Sequence, residues 1–186
     1  MKRLVIMTIG KTHSGKTTFG KKLEEMLPTS IVIDQDNHAT FLHTHYPKLV
    51  SEHNPFKLKI LLSQFILNYA ITETDAPIII SSANLSKKGR VALLKQFFPQ
   101  DMWTRIYVYF NYSIETLQQR IKHTTRSTTI FRDATMTFEH LIEKHAEQLE
   151  PPTVEEVDYL FHVNETQSPE HVMDKIHELN HVQQSS

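Results

Sequence analysis

Gly10-Lys11-Thr12-His13-Ser14-Gly15-Lys16-Thr17 constrains this chain more than any other stretch, because it meets every fixed position of the pattern Gly-x4-Gly-Lys-Thr. Its flanks supply the required context. Leu4 to Ile9 is an apolar run of strand length, and Phe19, Leu23, Met26 and Leu27 recur at helical spacing between Thr17 and Leu27. Between a strand and a helix, consecutive backbone N–H groups converge on an anion, with the positive end of the helix behind them. Gly10 and Gly15 allow backbone conformations and close approaches that a Cβ hinders. Lys16 is then expected to reach the β- and γ-phosphates of ATP, and the Thr17 hydroxyl to ligate Mg²⁺. The expected ATP-binding residues are Gly10, Lys11, Thr12, His13, Ser14, Gly15, Lys16, Thr17 and Thr18. An ordinary glycine turn is the alternative, and the agreement of motif with context tells against it.

Composition narrows the surroundings of that site. The chain has 186 residues, which suits one domain over 1–186 with a real core. Lys plus Arg number 20 against 21 Asp plus Glu, so bulk electrostatic binding to nucleic acid or a membrane is not expected, although a local basic patch is allowed. There are no cysteines, which excludes disulfides and thiolate metal sites. The N-terminal apolar run is too short for a secretion signal or a membrane span, so a soluble cytoplasmic protein is expected.

Strand-like and helix-like segments alternate along the chain. Strands are predicted at Leu4–Ile9, Ser30–Asp34, Ile78–Ser81, Arg105–Phe110 and Tyr159–Val163. A polar stretch from Gln35 to His53 follows the second strand. Helices are predicted from Phe56 to about Thr72 after Asn54-Pro55, from Ser86 to about Phe98, from Ser113 to near Ile121, from about Ala134 to Leu149, and after Ser168-Pro169. The Leu, Ile and Phe content of the 56–72 helix predicts that it lies against the sheet. The fold class that follows is α/β: a five-stranded parallel sheet with helices on both faces.

Two further stretches bear on chemistry. Ile33-Asp34-Gln35-Asp36 leaves the second strand at the carboxyl edge of the sheet, where open parallel sheets bind ligands. Asp36 is the expected catalytic base, accepting the proton of an attacking hydroxyl; the alternative is that it caps the next helix. Asp34 would contribute to the Mg²⁺ water shell or only orient the loop, and both carboxylates are candidate substrate ligands. The second stretch is basic, with Arg120, Lys122, Arg126 and Arg132 set among Thr and Ser. A mobile arginine lid over 122–133 would stabilise charge on a transferring phosphoryl group, and a solvated loop is the alternative. Arg126 is the first choice, as catalytic and ATP-binding residue, and Arg132 the second.

On these residues the chain resembles the small P-loop kinases, AAA-type ATP-binding kinases that include polynucleotide 5′-kinase, zeta toxins, gluconate kinase and chloramphenicol phosphotransferase. The resemblance rests on Gly10 to Thr17, on Asp34 or Asp36, on Ile78-Ile79-Ile80-Ser81-Ser82-Ala83-Asn84-Leu85-Ser86-Lys87-Lys88-Gly89-Arg90, and on the lid followed by Pro152 and Glu156. It implies an adenylate-kinase-like architecture with an arginine lid, a phosphotransferase using ATP and Mg²⁺, and Asn84 at the substrate. Two positions depart from the family. Ser81 stands where an Asp is usual, and Ala39 stands where polynucleotide kinases carry an Arg; His38, His43 or Lys48 could supply a positive group instead.

The leading expectation is transfer of the γ-phosphate of ATP to a hydroxyl of a small-molecule or nucleotide acceptor. A nucleic-acid 5′-hydroxyl kinase is less favoured, with only Lys87, Lys88 and Arg90 offering local positive charge. A nucleotide-binding module with little transfer is the third reading, motivated by Ser81. The 12 histidines lack metal-binding spacing and read as surface or cleft groups, and no guanine-recognition signature occurs. No membrane partner is expected, and the oligomeric state is left open.

Overall fold

The computed structural model describes residues 2–50, 54, 57–124 and 137–184. At its centre is β1, Arg3–Gly10, paired in parallel along its whole length with β4, Trp103–Phe110. On the other side β1 pairs with β3, Ile78–Ile80, which pairs with β2, Ile31–Ile33; β5, Tyr159–Val163, adds to β4. All neighbours are parallel and the order is β2-β3-β1-β4-β5. A strand in the middle of such a sheet is buried on both faces, so a continuous apolar run encodes it.

Alternation along β1 divides the interior in two. Leu4 and Ile6 face a cluster built from α1 (Lys16–Met26), α5 (Ile114–Lys122), α6 (Phe138–Gln148) and α7 (Pro169–Gln184), through Phe19, Leu23, Leu117, Ile142, Val172 and Ile176. Val5, Met7 and Ile9 face the other cluster, from α3 (Lys57–Glu73) and α4 (Lys87–Phe97), through Leu67, Ala70 and Leu94. The fold is therefore the expected α/β sheet with helices on both faces.

Local departures from the predicted elements have physical reasons. The polar stretch after β2 contains α2, Gln35–His45, whose one buried residue is Leu42. With so little apolar periodicity, capping starts this helix. Asp34 Oδ1 accepts from the N–H groups of Asp36 (2.8 Å) and Asn37 (3.4 Å). The capping role weighed for Asp36 thus belongs to Asp34. His38 Nδ1 meets Ser63 Oγ at 2.7 Å and joins α2 to α3; burial lowers its pKa against the opposing pull of Asp34, so it supplies no cation there. α3 buries Leu67 and Ala70 as expected, yet Leu61, Phe65 and Tyr69 form an exposed stripe, Phe65 being 71% exposed. Pro55, Phe56 and residues 134–136 of the predicted helices lie outside the described residues.

One buried ion pair ties α4 to the segment that leads into β5. The Arg90 guanidinium donates from Nε and Nη2 to the two carboxylate oxygens of Glu156, both at 3.0 Å. Nη1 donates to the carbonyls of Asn84, Leu85 and Glu150. Both side chains are almost wholly enclosed, at 0% and 2% exposure. Arg90 is therefore a structural tie, and the positive charge read from it as a nucleic-acid contact is not at the surface. Removing one partner of a buried pair strands the other charge, so Glu156→Ala should lower the unfolding free energy by about 3–5 kcal/mol. A urea midpoint unchanged from wild type would show that Arg90 does not depend on Glu156.

Candidate functional site

β1 delivers the chain at Gly10 into a loop that closes at Lys16, the first residue of α1. Both glycines have left-handed backbones, Gly10 at φ 149° and Gly15 at φ 98°. At Gly10 a Cβ would also lie 2.7 Å from the Phe110 carbonyl oxygen, so the tight pairing with β4 requires glycine. His13 at φ 58° is the non-glycine residue that turns the loop. Inside it, Ser14 Oγ donates to Lys11 O at 2.8 Å, and Lys16 Nζ donates to Lys11 O at 2.6 Å and Ser14 Oγ at 3.1 Å. Lys11 Nζ reaches back to Tyr112 O at 3.4 Å, its pKa lowered by burial and partly restored by Glu165. Thr17 and Thr18 stand exposed on the first turn of α1.

Beside that turn lies an oxygen cluster. Thr17 Oγ1 donates to Asp34 Oδ2 at 3.3 Å, while Asp34 Oδ1 caps α2. The Ser81 N–H donates to Ile33 O at 2.9 Å, so Ser81 and Asp34 leave adjacent strands side by side. Ser81 Oγ is buried without a hydrogen-bond partner among the described residues, on the side of the strand that faces Gly20. The Thr17 hydroxyl and the Asp34 carboxylate are oxygen donors of the kind that suits Mg²⁺. Asn84 at φ 46° is placed differently from the expected substrate ligand. Its Nδ2 donates to Thr8 O at 2.8 Å and its Oδ1 accepts from Ser82 Oγ at 3.0 Å, so it shapes the turn after β3.

Two groups that the sequence did not assign to the site, Arg120 and His145, also contact the loop. Arg120 Nη1 donates to His13 O at 3.3 Å, its guanidinium 4.0 Å over the Tyr112 ring. His13 Nε2 meets Thr124 Oγ1 at 3.2 Å, and its ring stands edge-on to Phe138 at 4.5 Å. His145 Nδ1, from α6, accepts the Thr12 backbone N–H at 3.1 Å. Arg120 had been legible only as part of the basic run, and nothing in the local pattern marks His145. Asp36 is exposed on the first turn of α2, and its charge and that of Lys16 both act on His145. Arg126 and Arg132 lie outside the described residues.

Burial, reinforced by Lys16 and Lys144 and opposed by Asp36, lowers the His145 pKa from 6.5 to about 4. Between those values the unfolded chain binds more protons than the folded one, so this contribution to stability is present above pH 6.5 and lost as pH falls toward 4. The free protein should therefore lose less of its Tm between pH 6.5 and 4 as His145→Gln. Identical slopes in thermal scans would show that the imidazole titrates normally.

A parallel sheet of this order with a glycine loop between its central strand and the first helix defines a P-loop nucleotide-binding fold. The chain belongs to the AAA domain family, whose profile matches residues 5–152, and it has the architecture of the small P-loop kinases. No curated protein matches the sequence significantly. Among solved structures it is similar to a gluconokinase from Sinorhizobium meliloti, at 17% identity and TM-score 0.55 over 98% of this chain and 97% of that one. It is also similar to the APS kinase of Mycobacterium tuberculosis in complex with AMPPNP and APS, at 12% identity and TM-score 0.64 over 97% and 98%. The shikimate kinase of Acinetobacter baumannii in complex with shikimate aligns at 17% identity and TM-score 0.60 over 98% and 95%. At these identities the likeness is one of fold. No described helix is long and apolar enough to cross a membrane.

Proposed function

We propose that the protein is an ATP-dependent phosphotransferase that moves the γ-phosphate of ATP to a hydroxyl of a small-molecule or nucleotide acceptor in the cytoplasm. The observation that carries this reading is the hydrogen bond from Thr17, on the first turn after the phosphate loop, to Asp34 at the end of β2, with Asp36 exposed two residues further on. Loop N–H groups and Lys16 bind the phosphates, and Thr17 and Asp34 would hold Mg²⁺, which would supply charge neutralisation to the phosphates. Asp36 takes the proton of the acceptor hydroxyl as its oxygen bonds to the γ-phosphorus. The bond from phosphorus to the β,γ-bridging oxygen breaks, and ADP leaves with the electron pair. Arg126 and Arg132 serve as the lid that neutralises the transferring group, and Asn84 acts through the turn it shapes.

The test is transfer of label from γ-³²P-ATP to a panel of polyols, sugar acids, nucleosides and a 5′-hydroxyl oligonucleotide. Labelling of a small hydroxyl compound is expected. Labelling of the oligonucleotide alone would favour a nucleic-acid kinase, and MgATP binding without transfer to any acceptor would leave a binding module.

A further inference from the structure

We infer that His145 is a ligand of the terminal phosphate: Nδ1 holds the Thr12 N–H of the loop, and the Nε2–H donates to an oxygen of the phosphoryl group that is transferred. This rests on the phosphotransferase reading and adds a residue to it.

The tautomer follows from the hydrogen bond. A backbone amide can only donate, so Nδ1 at 3.1 Å from Thr12 N is unprotonated and the ring proton of the neutral imidazole sits on Nε2. That N–H makes no hydrogen bond to the described residues. The charged groups that act on the ring from the elements around it are Lys16 of α1, Lys144 of α6 and Asp36 of α2. Thr12 belongs to the loop proposed to hold the phosphates, so a ring hydrogen-bonded to its N–H stands at the edge of the phosphate site. Burial and the two lysines keep the ring neutral, and it therefore retains the lone pair that Thr12 needs together with one donor for phosphate.

The ring also stands on a fixed support. At the end of α6 the Glu150 N–H donates to Leu85 O at 3.0 Å, and Glu150 O accepts from Arg90 Nη1 at 2.9 Å. The Lys87 N–H donates to Glu150 Oε2 at 2.7 Å. A donor held on a packed helix, anchored to a loop that itself binds the phosphates, needs little reorganisation to meet its ligand.

The test compares MgADP, which lacks the terminal phosphate, with MgAMPPNP, by calorimetry on wild type, His145→Ala and His145→Gln. His145→Ala should weaken MgAMPPNP by about tenfold or more while leaving MgADP within about twofold, the loss of one hydrogen bond to a charged group. His145→Gln, whose amide offers an acceptor to Thr12 and a donor to phosphate, should recover most of that loss. In ¹⁵N spectra the Nε2 resonance should shift with MgAMPPNP and stay put with MgADP. Equal weakening of both nucleotides would reduce His145 to a prop for the loop. Unchanged or tighter MgAMPPNP binding to His145→Ala would mean that nucleotide displaces the ring, and either result overturns the inference. A wild type that binds neither nucleotide would instead bring down the phosphotransferase reading on which the inference rests.

Discussion

Lys16→Ala should deprive the protein of its grip on ATP while leaving its fold intact. In the free loop the ammonium curls back onto Lys11 O and Ser14 Oγ. The Ser14–Lys11 hydrogen bond persists without it, so the loop keeps an internal brace. With triphosphate bound, the same ammonium is the point charge on the β- and γ-oxygens. Its removal should weaken MgATP by roughly 10- to 100-fold, the worth of a hydrogen bond to a charged group. Turnover should fall further, by about 10²- to 10³-fold, because charge on the transferring group grows toward the transition state. The variant carries a second readout that needs no turnover. Lys16 is one of the charges holding His145 neutral, so the His145 pKa should rise in Lys16→Ala and yet stay below its ordinary value, because burial is the larger cause. Unchanged ATP affinity would refute the phosphate-loop assignment, and an unmoved His145 pKa would place that ring beyond the influence of Lys16.

The phosphate loop and all five strands were legible because each is encoded locally. The loop needs particular residues at fixed spacing, and doubly buried strands need near-continuous apolar runs such as Leu4 to Ile9, interrupted only by Thr8, and Ile78 to Ile80. What was not legible depends on tertiary placement. α2 has little apolar periodicity to betray it, and the helix begins where Asp34 caps it, which moved the capping role two residues from where it had been weighed. Ser81 read as a missing metal carboxylate, since sequence alone does not reveal that Asp34 leaves the adjacent strand beside it and touches Thr17. The family resemblance implied Asn84 at the substrate, and its amide is engaged with Thr8 and Ser82, a partnership no local pattern reveals. His145 could not have been found from its neighbours along α6, since its partner Thr12 lies far away in sequence.

Two carboxylates so close in sequence should fail in different ways, and this is the sharpest consequence of the arrangement. Asp36→Asn keeps the shape of the side chain and removes its ability to take a proton. The start of α2 does not rely on it, since the cap is Asp34 acting on the Asp36 and Asn37 backbone. Turnover should fall by about 10²- to 10⁴-fold with MgATP affinity nearly unchanged, the worth of a general base. Asp34→Asn should also leave the helix in place, because Asn caps as well as Asp. It removes the negative charge beside the Thr17 hydroxyl, so the Mg²⁺ concentration for half-maximal turnover should rise by about 10- to 100-fold. Full turnover in Asp36→Asn, measured with the true acceptor, would transfer the base role to Asp34. An unchanged Mg²⁺ requirement in Asp34→Asn would leave the ion to Thr17 and the phosphates. The cap makes the comparison clean, because one carboxylate fixes the backbone from which the other projects, and neither substitution disturbs that bond.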